Sequence, residues 1–478
     1  MLFNSWIFWL FAAIVIPLYW LLSFKWQNRM LLVASYIFYG TWNWRFLVLI
    51  AGSTVMDYYL GVAVSQAPDP ASRKRLVTIS VIVNLALLGF FKYYGFFARE
   101  LSALFDLAGI PISLPILHVV LPVGISFYTF QSMSYVIDIA RGVTKPAGTF
   151  ADFALYVSFF PHLVAGPIMR SGNSQGASGL LKQLETPRQY RDGDFQQGLY
   201  LILLGLFKKI VIGDNMATLV NTVFATPLPE LTGPESLAGI YAFAIQIYAD
   251  FSGYSSIAQG VAKWMGIDLM LNFRQPYLAV SPSDFWRRWH ISLSTWLRDY
   301  VYVSAGGNRG GQFTTYRNLM LTMVLGGIWH GANWTFVVWG ALHGAILCGY
   351  RFADPKGQDK TIADFGFFGG LWRVLLMFHL VCAGWLFFRA DSISRAWKML
   401  TLIGRDFHLT SLAMTALESI VFLAGPLLIY EYWLERGREP LQVVKTSWEW
   451  RAIGYAYCLL MLIVFSPATA HEFIYFQF

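Results

Sequence analysis

The sequence predicts an all-helical, polytopic membrane protein, and three observations carry that reading. Apolar residues fill 56% of the 478 positions and charged residues only 13%, against roughly 25% charged in a soluble domain. Mean hydropathy is +0.50. The opening run over residues 6–24, "WIFWLFAAIVIPLYWLLSF", carries no charge and is long enough to cross a bilayer core of about 30 Å. It lacks a basic leader and a small-residue cleavage site, so it reads as a retained first span rather than a signal peptide.

Further apolar runs occupy residues 30–40, 46–64, 76–91, 116–139, 150–169 and 198–224, then 237–261, 319–349, 371–388, 417–434 and 453–466. With ~20 residues per span they predict about eleven to thirteen membrane segments, in a single domain over residues 1–478. Two runs are interrupted: "LPVGISFYTF" by Pro122 and Gly124, and "FPHLVAGPI" by Pro161, Gly166 and Pro167. Broken helices at membrane depth are stable only where protein or a water-filled cavity surrounds them. The pattern therefore predicts a bundle around a cavity. The longest polar connection, residues 170–194, reads as an extramembrane loop. Others cover residues 351–366 and 387–407. No internal repeat of the transporter kind is visible.

The net charge of +8 sits in short basic stretches: Arg73, Lys74 and Arg75; Arg188 and Arg191; Arg436 and Arg438. That is how a polytopic protein marks its cytoplasmic side, and no nucleic-acid partner is expected. Lys25 and Arg29 follow the first span while nothing basic precedes Trp6, which predicts an external N-terminus. Cys348, Cys382 and Cys458 lie far apart in apolar runs and offer neither a disulfide framework nor zinc spacing.

One stretch, "SDFWRRWHISLSTWLRDYV" from Ser283, is amphipathic rather than spanning. At about 100° per residue, Trp286, Trp289, Leu293, Trp296, Leu297 and Tyr300 share one face. Arg287, Arg288, Thr295 and Arg298 share the other. Ser283 or Asp284 is the expected N-cap, and the whole reads as a helix lying in the interface. His290 falls at the edge of the apolar stripe.

The common catalytic motifs are missing. "GISFY" and "GYSSI" fail the GxSxG pattern at its last glycine, "GGNRGG" lacks the lysine of a phosphate loop, and no HExxH or GxGxxG occurs. What remains is histidine and the intramembrane acids Asp57, Asp138 and Asp250. His118, His408 and His471 fall near predicted ends or loops. His379 reads as a core histidine bonded to a carbonyl, and His162, beside Pro161, as a candidate for the cavity wall.

His330 and His343 lie within "LGGIWHGANWTFVVWGALHG", where an imidazole without a partner costs several kcal/mol and marks a functional candidate. For His330 a polar pin between helices competes evenly with that reading. On one continuous helix His343 sits roughly 140° around from it, which assigns His343 a structural role. Asn333 shares the face of His330 and is placed to orient it. A neutral histidine in a dry cavity suits general-base work on a hydroxyl without a metal, as acyl transfer from a thioester to an alcohol requires.

The stretches "SDFWRRWHISLSTWLRDYVY", "GGNRGG" and "GGIWHGANWTFVVWGALHG" resemble the signature of the membrane-bound O-acyltransferases, in its polysaccharide O-acetylation branch. The likeness extends to "MLFNSWIFWLF", "LPVGISFYTFQSMSYVIDIARG", "FALYVSFFPHLVAGPIMR", "YADFSGYSSIAQG" and "FIYFQF". The resemblance implies a helical fold around a central funnel, with the family's WHG histidine at His330 and its second polar position at His290. Asn333, Asp250 and Trp329 are further candidates for the funnel wall. It implies no bound cofactor or metal. The acyl donor it implies is acetyl-CoA or another acetyl thioester on the cytoplasmic side, with an acetyltransferase partner on the outer face of a bacterial inner membrane. Two departures stand out. Ser256 occupies the usual acidic position of the YSD pattern, and "YVSAGGNR" replaces "YIPLGGNR".

Three readings stay open on sequence alone. They are acetyl transfer toward an exported polysaccharide, transfer of another acyl group such as D-alanine, and a secondary transporter relaying protons through His330, His290 and Asp250.

Overall fold

The computed structural model describes the chain except residues 111, 113, 116, 118, 119, 174–178, 355–359, 361, 437–439, 468–471, 477 and 478. His118, His471 and Arg438 therefore lie outside the described residues. Helix accounts for 76% of the structure, and no strand occurs among the described residues. Among the described residues, six helices are long and apolar enough to cross a membrane: Phe46–Ser65, Pro70–Leu107, Asp194–Ala225, Trp334–Ala353, Gly366–Arg389 and Ser411–Glu435. The apolar opening run divides, because Leu22 is extended (φ −94°, ψ 151°) and ends the helix Trp6–Leu21 before a second begins at Phe24.

The chain forms two compact units, Met1–Leu199 with Ala258–Met270, and Tyr200–Ile257 with Leu271–Phe478. In the first, Phe3, Phe8, Phe38 and Phe160 build an aromatic core, with Phe38 and Phe160 centroids 5.6 Å apart. Asp57, an intramembrane acid on sequence, is a pin between two helices: it accepts from Ser80 Oγ at 2.6 Å and Asn84 Nδ2 at 2.8 Å. Asp138 is also buried.

The sequence breaks fall where Pro and Gly place them. Gly124 adopts φ +76° before the helix Ile125–Ala140, and a Cβ there would lie 2.5 Å from the Leu163 carbonyl oxygen. Only glycine fits such an approach. Arg73, Lys74 and Arg75 are exposed in the first turns of a helix rather than in a loop, because Asp69 caps the Ala71 and Ser72 amides. The 170–194 connection is partly docked within its unit. Gln183 exchanges two hydrogen bonds with the Asp268 backbone, and Arg191 grips the Asp268 carboxylate through both terminal nitrogens at 2.9 and 3.1 Å.

Candidate active site

In the second unit, helices Gly311–His330 and Trp334–Ala353 form a tight hairpin. A Cβ on Gly327 would sit 2.2 Å from the Phe336 carbonyl oxygen, and one on Gly340 2.4 Å from that of Met323. The two backbones therefore touch, as small residues permit in membrane bundles. The hairpin corrects the continuous-helix expectation. The first helix stops at His330, Gly331 is extended, and Asn333 opens the next helix by accepting the Thr335 amide at 3.0 Å. Asn333 also donates to the Asp391 carbonyl, so it works as a helix cap and shares no helical face with His330.

Ending a helix at His330 places its ring in the core. It packs among Trp329, Trp339, Phe388 and Tyr475, at centroid distances of 4.9, 5.0, 5.1 and 5.7 Å.

The amphipathic segment from Ser283 is likewise not one helix. Ser281, not Ser283 or Asp284, caps Pro282–Arg288. Trp289 is extended, His290 is left-handed (φ 42°, ψ 54°), and a new helix runs Ile291–Leu297. A left-handed non-glycine residue is uncommon and strained; among the described residues Gln275 alone shares it. The kink resets the helical phase, so the expected arginine face does not persist. Arg288 is buried, donating to Asp284 at 2.8 Å and to both Glu435 oxygens at 2.6 and 2.8 Å. Stranding such a buried charge by removing one partner costs about 3–5 kcal/mol.

His290 is buried against Phe251 (4.7 Å), Trp329 (6.0 Å) and Tyr475 (6.3 Å). Its Nδ1 lies 3.3 Å from Asn272 Oδ1. It lies outside the six spanning helices, and burial lowers the proton affinity of its imidazole, favouring the neutral form.

Trp329 and Tyr475 thus each touch both histidines. Tyr475 escaped the sequence reading, although its hexapeptide "FIYFQF" carried part of the family likeness. Asn272 escaped as well, its sole signal being an amide between Leu271 and Phe273 in an apolar run. Asp250, a candidate wall residue, is buried. It pairs with Lys209 at 2.8 Å and accepts the Ile474 amide at 2.7 Å, one residue before Tyr475. Lys209 and Asp214 lie in a π-helical turn whose i, i+5 repeat brings them together at 2.8 Å.

The other histidines separate from this pair. His343 is buried against Trp286, Trp339 and Phe285, with Trp339 standing between it and His330. His379 does bond a carbonyl, that of Leu375, but on an exposed helix face rather than in the core. His162 belongs to the first unit's core, where its Nε2 meets Gln131 Oε1 at 2.9 Å. His408 is in an exposed connection.

The fold and the two buried imidazoles define an integral membrane protein with groups suited to proton transfer. Residues 41–390 match the model of the membrane-bound O-acyltransferase family. The chain is 43% identical to the probable alginate O-acetylase AlgI of Azotobacter vinelandii, over 84% of this chain and 77% of that protein. It is 42% identical to the probable alginate O-acetylase AlgI of Pseudomonas aeruginosa, over 84% and 74%. With the peptidoglycan O-acetyltransferase of Helicobacter pylori it shares 35% identity over 77% and 72%. The chain belongs to the membrane-bound O-acyltransferase family and is an O-acyltransferase.

Proposed function

We propose that this enzyme takes an acetyl group from a cytoplasmic thioester, acetyl-CoA or another, and passes it across a bacterial inner membrane for O-acetylation of an exported polysaccharide. The observation that carries the reading is the pair of buried histidines sharing Trp329 and Tyr475; the alginate and peptidoglycan O-acetylating relatives support its acetyl and polymer parts. His330 acts as general base. It removes the proton from an acceptor hydroxyl, whose oxygen attacks the thioester carbonyl; the C–S bond breaks and the thiolate leaves with the proton from the imidazolium. His290 is the second polar group at the reacting centre.

An acetyl group suits apolar, aromatic walls. A hydrated sugar chain entering them would lose hydrogen bonds to water that the walls do not replace. A separate acetyltransferase on the outer face therefore takes the acetyl group and modifies the polymer. Vesicles holding the purified protein, with labelled acetyl thioester inside and polysaccharide outside, should label the polymer only when that partner is added. Efficient labelling without a partner would refute the relay, and absence of any acetyl transfer with it would refute the activity.

A further inference from the structure

The backbone around His290 makes the position of its proton legible. Asn272 Oδ1 receives the Ser292 amide at 3.1 Å and the Ser292 hydroxyl at 3.0 Å, while Asn272 Nδ2 faces Ser255 Oγ at 3.5 Å. A backbone N–H can only donate, so the atom it meets is the carbonyl oxygen of the Asn272 amide; a flipped amide would set two donors against each other. That same oxygen meets His290 Nδ1 at 3.3 Å. An oxygen of this kind cannot donate, and the Ser292 hydroxyl, 3.5 Å from the same nitrogen, gives its proton to the nearer Asn272 Oδ1, so the hydrogen on that contact belongs to Nδ1. Two further features fix the ring here: the Ile291 amide donates to the Asn272 carbonyl at 2.9 Å, and His290 holds its left-handed backbone.

We propose that Asn272 is a positioning residue that locks His290 as the Nδ1–H tautomer and so presents Nε2, with its lone pair, to the reacting centre. The proposal rests on the role given to His290 above. A histidine whose second nitrogen is tied to an oxygen acceptor has a fixed tautomer and ring orientation, the device by which many functional histidines are poised. The acceptor here is a neutral amide in a buried setting, so it directs the proton without the pull toward the imidazolium that a carboxylate would exert.

The test is ¹⁵N solid-state NMR of the full chain in bilayers with labelled histidine, read beside acetyl transfer. The resonances lost in His290→Gln identify the ring, and they should be those of an Nδ1–H neutral imidazole. Asn272→Leu should move the remaining proton to Nε2 and lower kcat about 10²-fold with little change in KM. Asn272→Asp keeps the acceptor and should keep the tautomer. Its charge raises the imidazole's proton affinity, so the acid limb of the rate profile should shift to higher pH. An Nε2–H signal in the unmodified protein would overturn the proposal, and that measurement does not depend on any Asn272 variant folding. An unchanged tautomer in Asn272→Leu would overturn it too. Full activity in His290→Gln would instead remove the catalytic reading of His290 while leaving the tautomer result intact.

Discussion

His162 in the first unit and His290 in the second are both buried histidines in short, irregular segments, yet their surroundings differ in kind. His162 Nε2 meets the side-chain oxygen of Gln131, whose own amide nitrogen donates to the Tyr156 carbonyl. Its backbone lies in a short helix. It is a pin, like Asp57 between Ser80 and Asn84. His290 sits in a strained left-handed residue between two short helices, tied through Nδ1, with its ring among Phe251, Trp329 and Tyr475. Both units bury polar groups, but among the described residues only the second holds any in a left-handed backbone, His290 and Gln275. Strain of this kind, about 1–3 kcal/mol, persists where a geometry is needed rather than where any partner would do.

The largest effect should come from the second unit. His330→Ala is expected to lower acetyl transfer per folded molecule at least ~10²-fold, the low end for loss of a general base, with normal insertion; near-normal rates would end the central reading. His290→Ala should be comparably impaired. His162→Gln, by contrast, is expected to cost stability and leave the rate per folded molecule within a few-fold. A dead but stably folded His162→Gln would erase the contrast between the units.

Asp250→Asn tests the anchor behind Tyr475. It leaves Lys209 with a weaker partner and loosens the Ile474 amide. Hydrogen exchange of residues 472–476 should rise and activity fall about 10-fold, the scale of losing one hydrogen bond to a charged group. Slow exchange with full activity would show that Tyr475 needs no such support. His343→Ala should be milder still, lowering the melting temperature through a cavity beneath Trp339 and the rate by less than about 10-fold. The smallest effect expected is topological. Cysteines placed at Asn4 and at exposed Ser23 should label from outside and inside, respectively, and the reverse pattern would invert the orientation proposed for thioester access.

Much of this was legible in sequence. Composition and the apolar runs determine an all-helical membrane protein, because a bilayer demands that backbone hydrogen bonds be satisfied within each segment. Pro122, Gly124 and Pro161 mark real breaks, since their limits on φ and on hydrogen bonding are local. His330 and His290 were identifiable as polar residues out of place and by the family likeness, and they do lie against shared rings.

Tertiary structure alone decided the rest. Periodicity assumes a continuous helix; Gly331 and the Asn333 cap are local signals for the stop at His330, but the turn at His290 does not follow from local propensity. The hairpin after His330 packs through the Gly327–Gly340 approach of its two helices, and the turn at His290 is held by Asn272, eighteen residues away in sequence. Asn333 therefore read as a companion of His330 and is a cap, Arg288 read as an interfacial charge and is buried against Glu435, and Asp250 read as a wall residue and anchors Ile474. The contacts of Arg288 and Asp250, and that of Asn333 with the Asp391 carbonyl, depend on partners that the chain supplies only after folding. Sequence determines which residues are costly to bury; which partner offsets that cost is a property of the fold.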